Sequence, residues 1–193
     1  ALDVHADGTV ALNALSGVLV AAGGFSLDLG QVSTTAPSNG VSFTNADAVS
    51  VTLSGVTVFV GVGGSLTNAT SAASVVNGTL GFGGAVTSLK VVAIKDTNNG
   101  SVSLLDDHNY LGVEASGLTA DLIGLESVLV FHASANLKVN KASDTDGNPL
   151  TTAAKLDWDS LSTSGLPLAA LAIDAALDVH ADGTVALNAL SGV

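Results

Sequence analysis

Apolar and polar residues alternate from the start of the chain. Leu2, Val4 and Ala6 are set against Asp3, His5 and Asp7, and Val10 and Leu12 against Thr9 and Ala11. A period of two is the strand period. Asp7-Gly8 lies between the two runs, and Asp-Gly flanked by alternation is a hairpin signal, so residues 1–18 are predicted to fold as a β-hairpin. Val18–Ala22 and Phe25–Leu29 predict a second hairpin turning at Gly23-Gly24. Residues 30–47 carry Pro37, Asn39 and Gly40 and read as a loop. Ala48–Leu53 reads as a strand, broken at Ser54-Gly55, resumed over Val56–Val60 and turned by Gly63-Gly64 into Ser65-Leu66. Val75–Leu80 predicts a tight hairpin around Asn77-Gly78, and Gly83-Gly84 another turn. Leu89–Lys95 is a strand, 96–100 a turn, 101–105 a return strand and 106–110 a polar loop. Leu118, Ala120 and Leu122 alternate, Gly124 breaks them and Val128–His132 continues. Ala133–Asn136 is predicted to turn into Leu137–Asn140. Residues 143–149 form the most polar loop, 151–159 a helical turn or edge strand around Trp158, and 166–176 a strand.

One stretch occurs twice. Residues 1–18 and 176–193 are identical, ALDVHADGTVALNALSGV. Chance does not give an identity of that length. Residues 1–175 therefore read as one tandem-repeat unit, and 176–193 as the start of the next identical unit. A fainter echo lies inside the unit, where LSGVTVFVGVGGSL at 53–66 follows LSGVLVAAGGFSLDL at 15–29. Short strands with Gly-rich turns predict an all-β fold. The architecture expected is a repetitive β-hairpin rod or β-solenoid-like stack continuing through a tandem array. β-sandwich beads, one per unit, are the alternative.

Composition narrows the function. Five Lys and no Arg stand against 17 Asp plus Glu, a net charge of −12. Phosphate binding needs clustered basic side chains, so no nucleic acid is expected as a partner. No run reaches the ~18 apolar residues of a membrane helix, so no membrane span is expected. The chain holds no Met, which predicts an internal segment of a longer polypeptide, and no Cys.

Candidate chemistry is sparse. In Ser143–Pro149, Asp144, Asp146 and Asn148 place oxygen ligands at alternate positions around Gly147, as in the first half of calcium loops. They are the candidate calcium ligands, and the competing reading is an Asx-rich loop with no ion. Asp96–Asn99 and Asp106–Asn109 are weaker versions. His5 (repeated as His180), His108 and His132 show no metal-ligand spacing; His5 and His132 are expected on strands, facing solvent or a neighbour. No catalytic residue is identified, because there is no Gly-x-Ser-x-Gly elbow and no Cys nucleophile. Asp106/Asp107 and Asp157/Asp159 read as solvated acids. Gly61–Gly64 and Gly81–Gly84 read as hairpin turns rather than phosphate cradles. Tyr110 and Trp158 could stack on sugars, although a lone Trp flanked by Asp reads first as a core plug or rim contact. The sequons at Asn68, Asn77 and Asn99 are what chance gives in so Asn-rich a chain.

The duplicated ALDVHADGTVALNALSGV, the absence of Cys, the acidic Thr/Val/Gly/Asn bias and the SDTDGNP loop at 143–149 resemble the repeat regions of giant bacterial surface proteins, the large secreted adhesins and filament-forming repeat proteins. That resemblance implies secretion to the cell surface, an extended fibre or stalk, and stiffening by calcium. It supplies no active site. The function expected is a structural extracellular filament, fibre or adhesin stalk. Its partners would be adjacent repeats of the same chain and like chains. A glycan- or cell-binding surface module, gripping surface glycans with loops 30–47, 96–100 or 143–149, is the alternative. A β-helical polysaccharide-acting enzyme is disfavoured, because an enzyme rarely needs its site many times in series.

Overall fold

The computed structural model describes residues 3–97, 107–144 and 153–189. The elements are β1 (Val4–Ala14), β2 (Leu19–Thr34), β3 (Ala46–Val62), β4 (Ser65–Leu66), β5 (Val75–Val76), β6 (Leu80–Asp96), β7 (His108–Ile123), β8 (Leu129–Asp144), β9 (Thr163–Gly165) and β10 (Val179–Ala189). The fold is all-β, with no helix among the described residues. One sheet runs in the order β1-β2-β3-β6-β7-β8-β10, with β9 paired to β2 and a separate β4-β5 ribbon. Every pairing is antiparallel. The sheet is not closed into a barrel: β1 ends it on one side and β10 on the other.

The strands are longer than the turn signals predict. β1 runs straight through Asp7-Gly8, and each of its residues pairs with β2, so the expected hairpin within residues 1–18 does not form. The phase of the alternation explains this. Val4, Ala6, Val10 and Leu12 are all even-numbered. A two-residue turn at Asp7-Gly8 would have set Val10 and Leu12 on the opposite face from Val4 and Ala6. One strand keeps them together. The expected turns at Gly23-Gly24, Gly83-Gly84 and Ala133–Asn136 likewise fall inside β2, β6 and β8. His108–Tyr110, expected in a polar loop, opens β7. Val75-Val76 pairs with Ser65-Leu66 and not across Asn77-Gly78.

The connection that does reverse the chain after β1 is Leu15-Ser16-Gly17. These residues take φ of 54°, 56° and 89°, the left-handed region that suits a tight reversal. The second Leu-Ser-Gly-Val, at 53–56, lies within β3, where the register with β2 shifts and Gly55 takes a φ of 55°. The echo in sequence therefore occupies two different structures.

After β8 the chain crosses the sheet twice. Residues 153–162 run back toward the β2 side: Asn39 Nδ2 donates to Lys155 O (2.9 Å) and Ser38 Oγ to Asp157 O (2.8 Å). β9 pairs there with Val32–Thr34 of β2. Residues 166–178 then return to the β8 side. The strand expected over 166–176 is absent: beyond Leu166 most of the segment's hydrogen bonds go to side chains standing on the sheet rather than to a neighbouring strand. Leu166 N donates to Gln31 O on β2 at 2.9 Å. Ala169 N donates to Ser50 Oγ on β3 (2.9 Å), Lys90 Nζ of β6 to Ala170 O (2.8 Å), Ala172 N to Glu114 Oε2 on β7 (2.7 Å), and Lys138 Nζ of β8 to Ala172 O (2.7 Å). Side chains of the sheet thus supply partners to backbone groups that this irregular segment, the strap, does not satisfy within itself.

The core lies between this strap and one face of the sheet. Val32, Ala46, Ala48, Val92, Ile94 and Tyr110 meet Phe43, Leu156, Trp158, Leu166, Leu171 and Ile173. Asn140 ties it together. Its Nδ2 donates to Leu156 O and Asp174 O, and its Oδ1 accepts from Trp158 Nε1, each at 2.9 Å. Gly112 gives the indole its seat, since a Cβ there would lie 2.8 Å from the Trp158 ring and also strike Leu171.

The opposite face is apolar as well. The rows Leu27–Val51–Val91–Val113–Val139 and Phe25–Leu53–Leu89–Ala115–Leu137 cross five strands. These residues are half-buried, except Ala115, which is buried. Leu29 of β2 and Lys141 of β8 line the two ends of one open groove of 540 Å³ on this face.

Candidate functional site

The two edges of the sheet are the same sequence. β1 and β10 both read VHADGTVALNA. β1 pairs with β2 from Val4↔Leu29 to Ala14↔Leu19. β10 pairs with β8 from Val179↔Val139 to Ala189↔Leu129. The identical strand therefore has two different partners in one molecule.

Its side chains use each partner differently. In β1, His5 Nδ1 meets Asp28 of β2 at 2.5 Å and Nε2 meets Asp7 at 3.1 Å. Asp28, through hydrogen bonding and charge, and Asp7 more weakly, hold the His5 imidazole above its ordinary pKa against some desolvation. In β10 the equivalent residues turn to β8: Asn136 Nδ2 donates to Asp182 at 3.0 Å and Ser134 Oγ meets Thr184 Oγ1 at 2.8 Å. His180 stays within 3.2 Å of Asp182. His132 pairs with Asp121 across β7 and β8. His5 and His132 thus lie on strands beside carboxylates.

The residues singled out as calcium ligands are only partly placed. Asp144 is the last residue of β8, opposite His108; Asp146 and Asn148 lie outside the described residues, as do Asn98, Asn99 and Asp106. His108 is also opposite Asp96, so Asp96, His108 and Asp144 form one row across three strands. The sequence did not reveal that Asp96, His108 and Asp144, one residue from each Asp-rich stretch, meet in one row, because strand register is not a local signal. Among the described residues no three acidic or imidazole groups gather in an arrangement that could hold a metal ion.

The aromatic candidates are core residues. Trp158 and Tyr110 are 5% and 3% exposed, so neither offers a face to a sugar. Burial, then the charge of Asp96, pushes the Tyr110 hydroxyl up to about 12. Asp157 and Asp159 are fixed by their backbones, through Ser38 Oγ and Ile173 O, and one Asp157 carboxylate oxygen is buried without a hydrogen-bond partner. Asp157 is thus not the fully solvated acid expected.

No described helix is long and apolar enough to cross a membrane. No protein-family profile, no curated protein and no solved structure matches this chain.

Proposed function

We propose that the chain is a structural tandem-repeat protein, a length of extracellular filament, fibre or adhesin stalk. One observation carries this reading: the duplicated sequence forms both edges of a single sheet, β1 and β10. An exposed edge strand presents unpaired N–H and C=O groups and invites aggregation unless it is blunted. Neither edge carries Pro or Lys, and Val10, Leu12, Val185 and Leu187 stand exposed on them. Repetition of the unit removes the liability, because each edge becomes the interior of a longer sheet. Residues 1–175 are then one unit of a β-rod, and the role is length and stability rather than turnover.

Negative-stain images of a chain of several units test the reading. A rod of uniform width is expected, and separated globules would exclude it. Calcium remains part of the proposal through Asp144, Asp146 and Asn148. A chelator is expected to lower the melting temperature of the array, and substitution of Asp144 and Asp146 by Asn to abolish that difference. An unchanged melt removes the ion from the reading.

A further inference from the structure

The two copies of the repeated strand differ in which side of the strand is bonded, and this defines how units join. In a β-strand, alternate residues point their N–H and C=O groups to opposite sides. On β2, Val32 pairs with Ala46 of β3 and with Gly165 of β9, so β9 lies on the side of β2 that β1 occupies. Gln31 O accepts from Leu166 just beyond β9, whereas Val18 O, one residue before β2, accepts from Gly61 N of β3. Odd-numbered residues of β2 therefore face β1, and even-numbered ones face β3. Leu29 is odd and is opposite Val4. It follows that β1 bonds β2 through Val4, Ala6, Gly8, Val10 and Leu12. It turns the polar groups of His5, Asp7, Thr9, Ala11 and Asn13 outward.

At the other edge Asn140 N donates to Asp178 O at 2.9 Å. Asp178 corresponds to Asp3 in the first copy. β10 therefore bonds β8 through the counterparts of His5, Asp7, Thr9, Ala11 and Asn13, and leaves the counterparts of Val4 to Leu12 open. The side that β1 exposes is the side that β10 has filled, and the reverse. Either parity was open to the fold. The same parity in both copies would have made β2 and β8 compete for one set of donors.

The direction and the faces of the two copies, which together fix this parity, are consistent with it. Six antiparallel steps separate β1 from β10, so the two run in the same direction. The registers combine on one strand without a shift: Lys138 is opposite His180, and His5 is opposite Asp28. The row across a joint is thus Lys138–His5–Asp28 on the strap face and Val139–Val4–Leu29 on the other. On the first row His5 stands between Lys138 and the Asp28 carboxylate that it pairs with, and the second row stays apolar, as do the rows on that face within the unit.

We infer that the VHADGTVALNA strand is a two-sided joint. It bonds β8 of the preceding unit by one side and β2 of its own unit by the other, so the sheet continues from unit to unit. The bare β2 edge left by removing β1 is then a docking site for β10 of a second copy of this chain. This inference rests on the filament reading and can fail separately from it.

Cross-linking two full-length variants tests it. The chain has no Cys. The acceptor carries Ala6→Pro and Val10→Pro, which delete amides facing β2, together with Ala22→Cys. The donor carries Ala186→Cys, the counterpart of Ala11, which is opposite Ala22 in a pair not hydrogen-bonded to each other, where side chains approach closely. A donor with Ala181→Cys, on the other face, controls for random collision. Oxidation is expected to give the Ala22→Cys/Ala186→Cys heterodimer several-fold above that control. Because the prolines could unfold the acceptor, a second arm omits them, mixes the chains in denaturant and refolds them together at high concentration. The tethered β1 competes there at ~mM effective concentration, so a lower yield with the same register preference is expected. No preference over the control in either arm overturns the inference. Uniform rods with no such preference would keep the filament and discard the joint. Beads with the preference would do the opposite.

Discussion

Replacement of Asn140 probes how the strap is held to the sheet. The residue is 2% exposed and makes three side-chain hydrogen bonds, to Leu156 O, Asp174 O and Trp158 Nε1, each 2.9 Å long. Asn140→Leu keeps most of the volume and deletes all three. Leu156 O and the indole N–H lose this partner, Asp174 O keeps only the long bond from Leu177 N (3.4 Å), and each buried group left unpaired costs about 1–3 kcal/mol. The two carbonyls belong to the strap, which can shift toward water and recover part of the loss. The expected destabilisation is therefore about 3–5 kcal/mol, a large share of the ~5–15 kcal/mol that holds a domain folded. Urea melts followed by the fluorescence of Trp158, the only Trp, measure it. The midpoint should fall with little change in slope if the molecule unfolds as one unit. A loss below about 1 kcal/mol would refute the argument, because it would show that the three bonds are replaced by water at no cost.

Asn140→Asp sharpens the same test. The carboxylate can still accept from Trp158, but it faces two carbonyl oxygens that the amide had supplied with donors. The protonated acid is favoured there, so the folded pKa rises above the ordinary ~3.9. A raised folded pKa gives stability that is present below the unfolded value and lost as pH rises through the folded one. Asn140→Asp should thus approach the wild type in acid and diverge from it toward neutral pH. A constant difference across that range would mean that the carboxylate escapes to solvent.

Other positions give simpler outcomes. Gly112→Ala sets a methyl against the Trp158 ring and Leu171 and should cost about 1–3 kcal/mol as overpacking, read as a lowered urea midpoint with altered Trp158 emission. Ser50→Ala removes the buried hydroxyl that accepts from Ala169 N and should cost about 1–2 kcal/mol in the same melts. The raised His5 pKa gives stability that is fully present below its unfolded value of 6.5 and lost as pH rises through the folded value. Amide exchange in β1, corrected for intrinsic rates, should therefore be better protected at pH 5.5 than at 8.5, and His5→Gln should remove the difference.

The strand-rich character was legible because Val and Thr alternate with polar residues along most of the chain. Strand length was not. Gly23-Gly24, Gly83-Gly84 and Asp7-Gly8 satisfy the composition of turns, yet each lies in a strand. Local composition states what a dipeptide permits, and the neighbouring strand decides. A Cβ at Gly84 would meet Thr119 O at 2.6 Å, and one at Gly23 would meet Val56 Cγ2 at 2.7 Å. These glycines answer to close approach between strands rather than to chain reversal. The phase of the apolar residues in 1–14 was the available correction, and it outweighs the Asp-Gly signal. The row Asp96–His108–Asp144 and the Asn140 knot had no local trace, because both arise from register between distant segments.

The strap explains why identical strands can lie at opposite edges. β8 and β10 are antiparallel neighbours, and a two-residue turn would suffice to join such a pair. Instead the intervening chain crosses to β2, pairs there as β9, and crosses back before β10 begins. A direct hairpin would have left the strap face of the sheet bare, with Ala46, Ala48, Val92, Ile94 and Tyr110 exposed to water. Burial of a large apolar side chain contributes about 1.5–3 kcal/mol, so a bare sheet would forgo much of its stability. The crossing covers that face without consuming an edge: β9 occupies only Val32–Thr34 of β2, beyond the Leu29 end of β1. Cover and continuation are thereby separated in space. In the filament proposed above, each unit would seal its own core and still offer the β2 side and the β8 side to the repeated strand.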